Sequence, residues 1–160
     1  MFETIKIPKE RLAVLIGKEG GVKKNLEEAT GTEITIRKDI EIRGEEENVF
    51  RAREVIKAIG RGFSPENAFM LLGKECRLEV ISLKGESERR IKSILGRVIG
   101  RNGATRRRIE ECSGAHVAVY GKTVSVLGKY PDVEKARRFI DQLLAGRPHG
   151  YVYRMMEEEI

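Results

Sequence analysis

Two short segments of this chain gather residues that can hold an anion: Gly17-Lys18-Glu19-Gly20 and Gly100-Arg101-Asn102-Gly103. Two glycines three apart let a backbone turn sharply and approach a ligand with no Cβ in the way. A helical pattern follows each segment, so each opens onto a helix N-terminus, where free N–H groups and the helix dipole favour negative charge. Cations crowd both places: Lys18, Lys23 and Lys24 around the first, Arg97, Arg101, Arg106, Arg107 and Arg108 around the second. A phosphodiester backbone fits that arrangement. A lone G-x-x-G equally describes an ordinary turn between two helices. Two copies, each after Ile-Gly and before an apolar-periodic helix ending in Thr-Gly or Ser-Gly, make a specific signal.

Other chemistry has little to stand on. The only histidines are His116, on a strand pattern, and His149, in the turn Arg-Pro-His-Gly, and neither has clustered Cys or Asp partners. No metal site, cofactor or catalytic centre is therefore expected. No G-x-x-x-x-G-K-[ST] run is present, which leaves nucleotide hydrolysis unsupported. Cys76 and Cys112 are too few for a disulfide scaffold or a structural zinc site, so the expectation is a reduced, cytoplasmic protein. Cys112 falls on an inner helix face and reads as a small core residue.

The 160 residues are 40% hydrophobic and 35% charged, enough apolar material for a core rather than a disordered chain. No stretch of 18 apolar residues exists, so no membrane span is expected, and the start, MFETIKIPKE, lacks a signal peptide's apolar run. Tryptophan is absent, glutamine appears once, and Lys, Arg and Glu abound, a balance associated with heat-adapted proteins. Charge is unevenly placed. Residues 1–73 hold 13 basic and 13 acidic groups, a net of zero, whereas residues 74–160 hold 18 and 12, a net of +6. A basic half joined to a neutral one points to a polyanion met mainly by the second half.

An internal repeat organises the chain. Residues 15–36, LIGKEGGVKKNLEEATGTEITI, align without gaps to residues 98–119, VIGRNGATRRRIEECSGAHVAV, at a spacing of 83. After one extra residue the match resumes, Gly44 with Gly128 and Val49 with Val133. So long a period indicates a tandem duplication rather than a solenoid. Each copy reads β-α-α-β-β-α. In the first, a strand over 3–7 precedes a helix opened by Pro8 and ended by Gly17. A second helix carries Val22, Leu26 and Ala29 on one face, strands cover 33–36 and 40–42, and a third helix ends at Gly60. In the second copy the same order falls at 77–83, 87–99, 103–112, 116–120, 123–127 and 131–144. Between the copies, Ser64 and Pro65 open a short helix whose apolar face, Ala68, Phe69, Leu71 and Leu72, is available for docking the domains. The expected divisions are a first domain over 1–62, a linker over 63–73, a second domain over 74–147 and a C-terminal segment over 148–160.

The segments IGKEGGVKKNLEEATGTEI and IGRNGATRRRIEECSGAHV resemble the core of the KH domain, a reader of single-stranded RNA or DNA whose GXXG loop clamps a backbone about four nucleotides long. The resemblance covers residues 3 to 144. It implies an α+β fold of two tandem type I KH domains, each a three-stranded sheet packed on three helices. It also implies a groove floored by aliphatic side chains, which agrees with the 6% aromatic content. On this resemblance the RNA-binding residues are Gly17, Lys18, Glu19, Gly20, Lys23 and Lys24 in one copy. In the other they are Arg97, Gly100, Arg101, Asn102, Gly103, Arg106 and Arg107. One departure stands out: three residues after the GXXG many KH domains carry an aliphatic residue, whereas this chain has Lys23 and Arg106. The apolar periodicity predicts that both cations face outward.

The two-KH layout and the C-terminal segment are similar to a narrower family, the two-KH proteins of small-subunit ribosome assembly and rRNA processing, in their archaeal form. That resemblance implies a non-enzymatic protein binding the 3′ region of 16S rRNA. Its implied partners are the small-subunit rRNA 3′-end endonuclease and the alpha subunit of translation initiation factor 2. The alternatives are a protein-binding adaptor with degenerate KH folds and an RNA-binding subunit of an RNA-degradation complex.

Overall fold

The structure, a computed structural model, describes residues 1–159. It divides into two units, Met1–Lys74 and the chain from Glu75 onward. The first unit runs β1 (Phe2–Ile5), α1 (Lys9–Ile16), α2 (Gly21–Thr30), β2 (Glu33–Ile36), β3 (Ile40–Arg43), α3 (Glu46–Gly60) and α4 (Pro65–Ala68). The second runs β4 (Cys76–Ser82), α5 (Glu88–Ile99), α6 (Ala104–Ser113), β5 (His116–Tyr120), β6 (Thr123–Lys129), α7 (Tyr130–Leu144) and α8 (His149–Glu158). The duplication is thus one of architecture: each unit is α+β and holds one antiparallel sheet, ordered β1-β3-β2 in one and β4-β6-β5 in the other. The latest strand lies in the middle and β2 and β5 lie on an edge.

Strand register follows the β-branched pattern. Ile34 pairs with Ile42 and Ile36 with Ile40 in the first unit, Val117 with Val126 and Val119 with Val124 in the second. Cross-strand pairs of this kind pack well on a pleated surface. Leu15, Leu26, Ile42, Val49, Val55 and Ile56 are fully buried behind the first sheet. Val98, Ile109, Val124, Val126, Phe139 and Ile140 form the matching core of the second.

The helix faces hold one surprise. Ala29 is exposed and Thr30 is buried, although the apolar periodicity favours the alanine. Thr30 is tolerated inside because its hydroxyl donates to the Leu26 carbonyl at 2.7 Å and pairs with Thr32 Oγ1 at 2.7 Å. A satisfied hydroxyl loses most of its burial penalty. Its counterpart Ser113 is also buried and accepts from the Ala115 N–H.

The segment after α3 belongs to the first unit. Ser64 caps α4 by accepting from the Asn67 N–H at 3.2 Å, Pro65 takes the first helical position, and a 3₁₀ turn at Phe69–Leu72 packs against α3. Ala68 and Leu71 are buried there, which gives the apolar face a partner within the unit. The C-terminal segment is likewise part of a core. Val152 and Met156 of α8 are fully buried in the second unit's cluster, and α8 packs on α6 and α7.

Candidate nucleic-acid interface

The two glycine loops are near-identical in backbone. Gly17 and Gly100 lie at φ +74° and +72° with ψ close to 180°, a region open essentially to glycine alone. Glu19 and Asn102 are the positive-φ non-glycine residues, at +54° and +55°. Gly20 and Gly103 follow at +75° and +76° and hand the chain to α2 and α6. The first glycine of each loop is doubly required. A Cβ on Gly17 would strike the Val22 side chain and one on Gly100 the Thr105 side chain, the residue that begins the next helix's buried face. The second glycines have room; only Arg107 Nη1, at 3.2 Å, approaches Gly103. Gly100→Ala therefore destabilises the second unit by about 1–3 kcal/mol from backbone strain, plus a collision term. Gly103→Ala costs about 1–2 kcal/mol, the left-handed penalty alone. Amide hydrogen exchange of β6 in the two variants checks this, and equal losses of protection would contradict the collision.

The loops present what the sequence places there. Lys18, Lys24, Arg101 and Asn102 are exposed. Their side chains have no partner among the described residues, which leaves the cations open to an anion in front of α2 and α6. Arg107 is also exposed and braces its loop from the next helix, its Nη1 donating to the Asn102 carbonyl at 2.8 Å.

Three other cations are tied down. Arg97 donates from Nε to the Leu143 carbonyl at 3.3 Å and from Nη2 to the Arg147 carbonyl, and His149 Nε2 meets the Arg97 carbonyl at 2.9 Å. Arg97 thus clamps the end of α7 and the start of α8 to α5, with its charge at a helix C-terminus. In the first unit Arg11 does similar work, donating to the Ile59 and Phe63 carbonyls at 2.8 Å each. Arg108 lies 4.8 Å from the Tyr153 ring centre and pairs with Glu157 at 3.1 Å. Tyr153 in turn bonds Thr105 Oγ1 at 2.9 Å, so α8 braces the residue that packs on Gly100.

Lys23 and Arg106 do not simply face outward. Lys23 Nζ bonds Glu27 at 3.0 Å and Arg106 Nη1 bonds Glu110 at 3.1 Å, one helical turn on. The second carboxylate oxygen of each glutamate accepts a main-chain N–H from the edge strand, Ile34 at 2.9 Å and Val117 at 3.0 Å. Burial of the aliphatic stem against the groove, with the head held by a carboxylate, explains why a cation replaces an aliphatic residue there. Sequence reasoning missed Glu27 and Glu110. Their signal was available: in both copies the glutamate stands four residues after the cation and seven before the strand residue it holds.

These pairs border a groove between helix and edge strand. In the first unit it is an open cavity of about 480 Å³ lined by Ile16, Lys23, Glu27, Glu33, Ile34 and Ile36, with Thr35 beside them. The repeat places Ile99, Arg106, Glu110, His116, Val117 and Val119 at the matching positions of the second. Glu33 against His116 makes the first groove the more acidic, in line with the charge of the halves. Among the described residues no group of three His, Cys, Asp or Glu side chains could hold a metal, and no helix is long and apolar enough to cross a membrane.

Two sheets of order β1-β3-β2 and β4-β6-β5, each faced by a helix pair joined through a GXXG turn, define a tandem KH protein. The family described as "Eukaryotic type KH-domain (KH-domain type I)" matches residues 77–160, and the KH domain family matches residues 2–58. A KH domain-containing protein of Methanocaldococcus jannaschii is 42% identical, over 99% of this chain and 74% of that one. The pre-rRNA-processing protein pno1 of Aspergillus fumigatus is 32% identical over 64% of this chain and 43% of its own length, so this chain spans less than half of that relative. Among solved structures, aDim2p in the a/eIF2alpha–aDim2p–rRNA complex of Pyrococcus horikoshii superimposes with a TM-score of 0.90 at 46% identity, over 99% of this chain and 93% of that one. The chain belongs to the Dim2/pno1 family of KH-domain proteins.

Proposed function

We propose that this chain binds single-stranded RNA without catalysing a reaction on it, and that its target is the 3′ region of small-subunit rRNA during ribosome assembly and pre-rRNA processing. One observation carries the reading: two GXXG turns with matching torsions, each presenting unpartnered polar or cationic side chains before a helix N-terminus. The related aDim2p bound to rRNA and a/eIF2alpha supports rRNA as the ligand and the alpha subunit of initiation factor 2 as a protein partner. In this reading Arg101, Asn102, Gly100 and Gly103 clamp phosphates in the second unit, with Arg107 bracing them. Gly17, Lys18, Glu19, Gly20 and Lys24 form a weaker clamp in the first. The neutral charge and acidic groove of the first unit suit it to positioning RNA or meeting a protein. Free Cys76 and Cys112 fit work in the cytoplasm.

The test is a salt-titrated binding assay with a 16S rRNA 3′-end oligonucleotide, an unrelated single strand and a duplex. Single strands bind more tightly than the duplex, and each phosphate neutralised steepens the salt slope by about 0.7. Equal affinity for duplex and single strand would sink the groove-and-loop mechanism.

A further inference from the structure

The turns that follow α3 and α7 carry the same latch. In the first unit Arg11 donates to the carbonyls of Ile59 and Phe63; in the second Arg97 donates to those of Leu143 and Arg147. The receiving residues stand 84 apart in the sequence, and the N–H groups of Phe63 and Arg147 each return to the carbonyl five residues earlier, at 3.1 Å. One turn has therefore been kept twice, but its side chains have diverged. Phe63, Asn67 and Met70 of the first unit are matched at the same spacing by Arg147, Tyr151 and Arg154 of the second. Phe63 is buried and Asn67 and Met70 are half-buried, whereas Arg147, Tyr151 and Arg154 are all exposed.

A single exposed tyrosine asks for no explanation. A ring set between two exposed cations is different: it is the arrangement that holds single-stranded nucleic acid, with a base stacked on the ring and phosphates beside the cations. The Arg147 guanidinium lies 5.5 Å from the Tyr151 ring centre, and the tyrosine is still 41% exposed. Arg154 stands one helical turn further along α8 with no partner among the described residues. The place of this stripe ties it to the phosphate loop. The latch joins Arg147 to Arg97, three residues before Gly100, and His149 Nε2 meets the Arg97 carbonyl at 2.9 Å. Tyr130, also exposed, opens α7 at the end away from that latch, under Arg77, which shares a cavity with Glu79 and Glu134. Carboxylates there disfavour RNA. We propose that Arg147, Tyr151 and Arg154 form an accessory nucleotide site, in which Tyr151 stacks one base of the strand that leaves the second unit's GXXG clamp. Arg147 steadies the ring and, with Arg154, faces the neighbouring phosphates. Stacking uses the face that every base shares, so the site adds affinity and lengthens the bound strand without choosing a base. The inference rests on the proposal that the second GXXG loop holds single-stranded RNA.

The experiment uses the full chain and fluorescein-labelled single strands of the 16S rRNA 3′ region, read by anisotropy. Each nucleotide is made abasic in turn, which removes the base and keeps the phosphate. At one position the abasic strand binds about tenfold more weakly, while exchanging that base for any other changes affinity less than about twofold. Tyr151→Ala, with folding checked by circular dichroism, loses about tenfold on the intact strand and becomes indifferent to the abasic change at that position alone. Tyr151→Phe, which keeps the ring, retains both the affinity and the abasic penalty. An abasic profile that is the same in Tyr151→Ala as in the unmodified protein would overturn the inference, and so would a uniform loss across all strands, the mark of a merely structural residue. Unchanged affinity in Tyr151→Ala would overturn it too and leave the stripe to a protein partner. Failure of the unmodified protein to bind any strand would instead overturn the RNA-binding reading itself.

Discussion

Replacing Arg101 and Asn102 together by aspartate weakens RNA binding on the order of a hundredfold, while the same change at Lys18 and Glu19 costs about tenfold or less. The second loop goes from a formal +1 to −2 and the first from 0 to −2. Like charges set beside clamped phosphates cost several kcal/mol, and each 1.4 kcal/mol is about tenfold in affinity. The second loop has more to lose because it stands in the half of the chain that carries all the net charge, with Arg107 bonded to its backbone. Folding survives. The replaced side chains are exposed, and aspartate is among the residues best suited to the positive φ of Asn102. The measurement is RNA affinity of the two double variants at one fixed salt, with circular dichroism as control. A first-loop variant that lost as much as the second would place the dominant site in the wrong unit.

Met156→Asp unfolds or loosens the second unit, with a loss of about 3–5 kcal/mol, the scale of an uncompensated buried charge. Met156 is fully buried among Phe139, Ile140 and their neighbours, and the nearby charges lie elsewhere, Glu157 of α8 with Arg108 and Glu159, just past the helix, with Arg138. A chain of two units need not melt in one step, so a single midpoint is a poor readout. Amide hydrogen exchange resolves the effect: protection of the central strand β6 collapses in Met156→Asp and persists in the exposed control Glu158→Ala. Unchanged β6 protection would show that α8 is an appendage.

What was legible in the sequence was local or duplicated. The repeat at a spacing of 83 gave each loop a second witness, and strands such as Ile34–Ile36 and Val117–Val119 announce themselves by β-branched alternation. Ser64 and Pro65 carry the start of α4 in their own chemistry. What stayed hidden was tertiary. Arg97 reads as one more cation near a phosphate loop, yet its donors go to carbonyls 46 and 50 residues away. The burial of α8 depends on Tyr153 meeting Thr105, 48 residues apart, and a ten-residue helix has little stability of its own to advertise. Lys23 and Arg106 stood out as departures from an aliphatic pattern, but their direction depends on glutamates one turn on and a strand seven residues beyond those.

The helix carboxylates that cap β2 and β5 bear on folding as well as on binding. A chain holding two copies of one domain synthesises the same edge strand twice, and those edges are candidates for zipping to each other or to a neighbouring molecule. Glu27 already occupies the N–H of Ile34, and Glu110 that of Val117. A strand added along either edge must expel a carboxylate from its hydrogen bond and bury it against a dry interface, a costly exchange. The same two glutamates that shape the grooves therefore guard the duplicated protein against its own symmetry, keeping each sheet at three strands while its twin folds on the same chain.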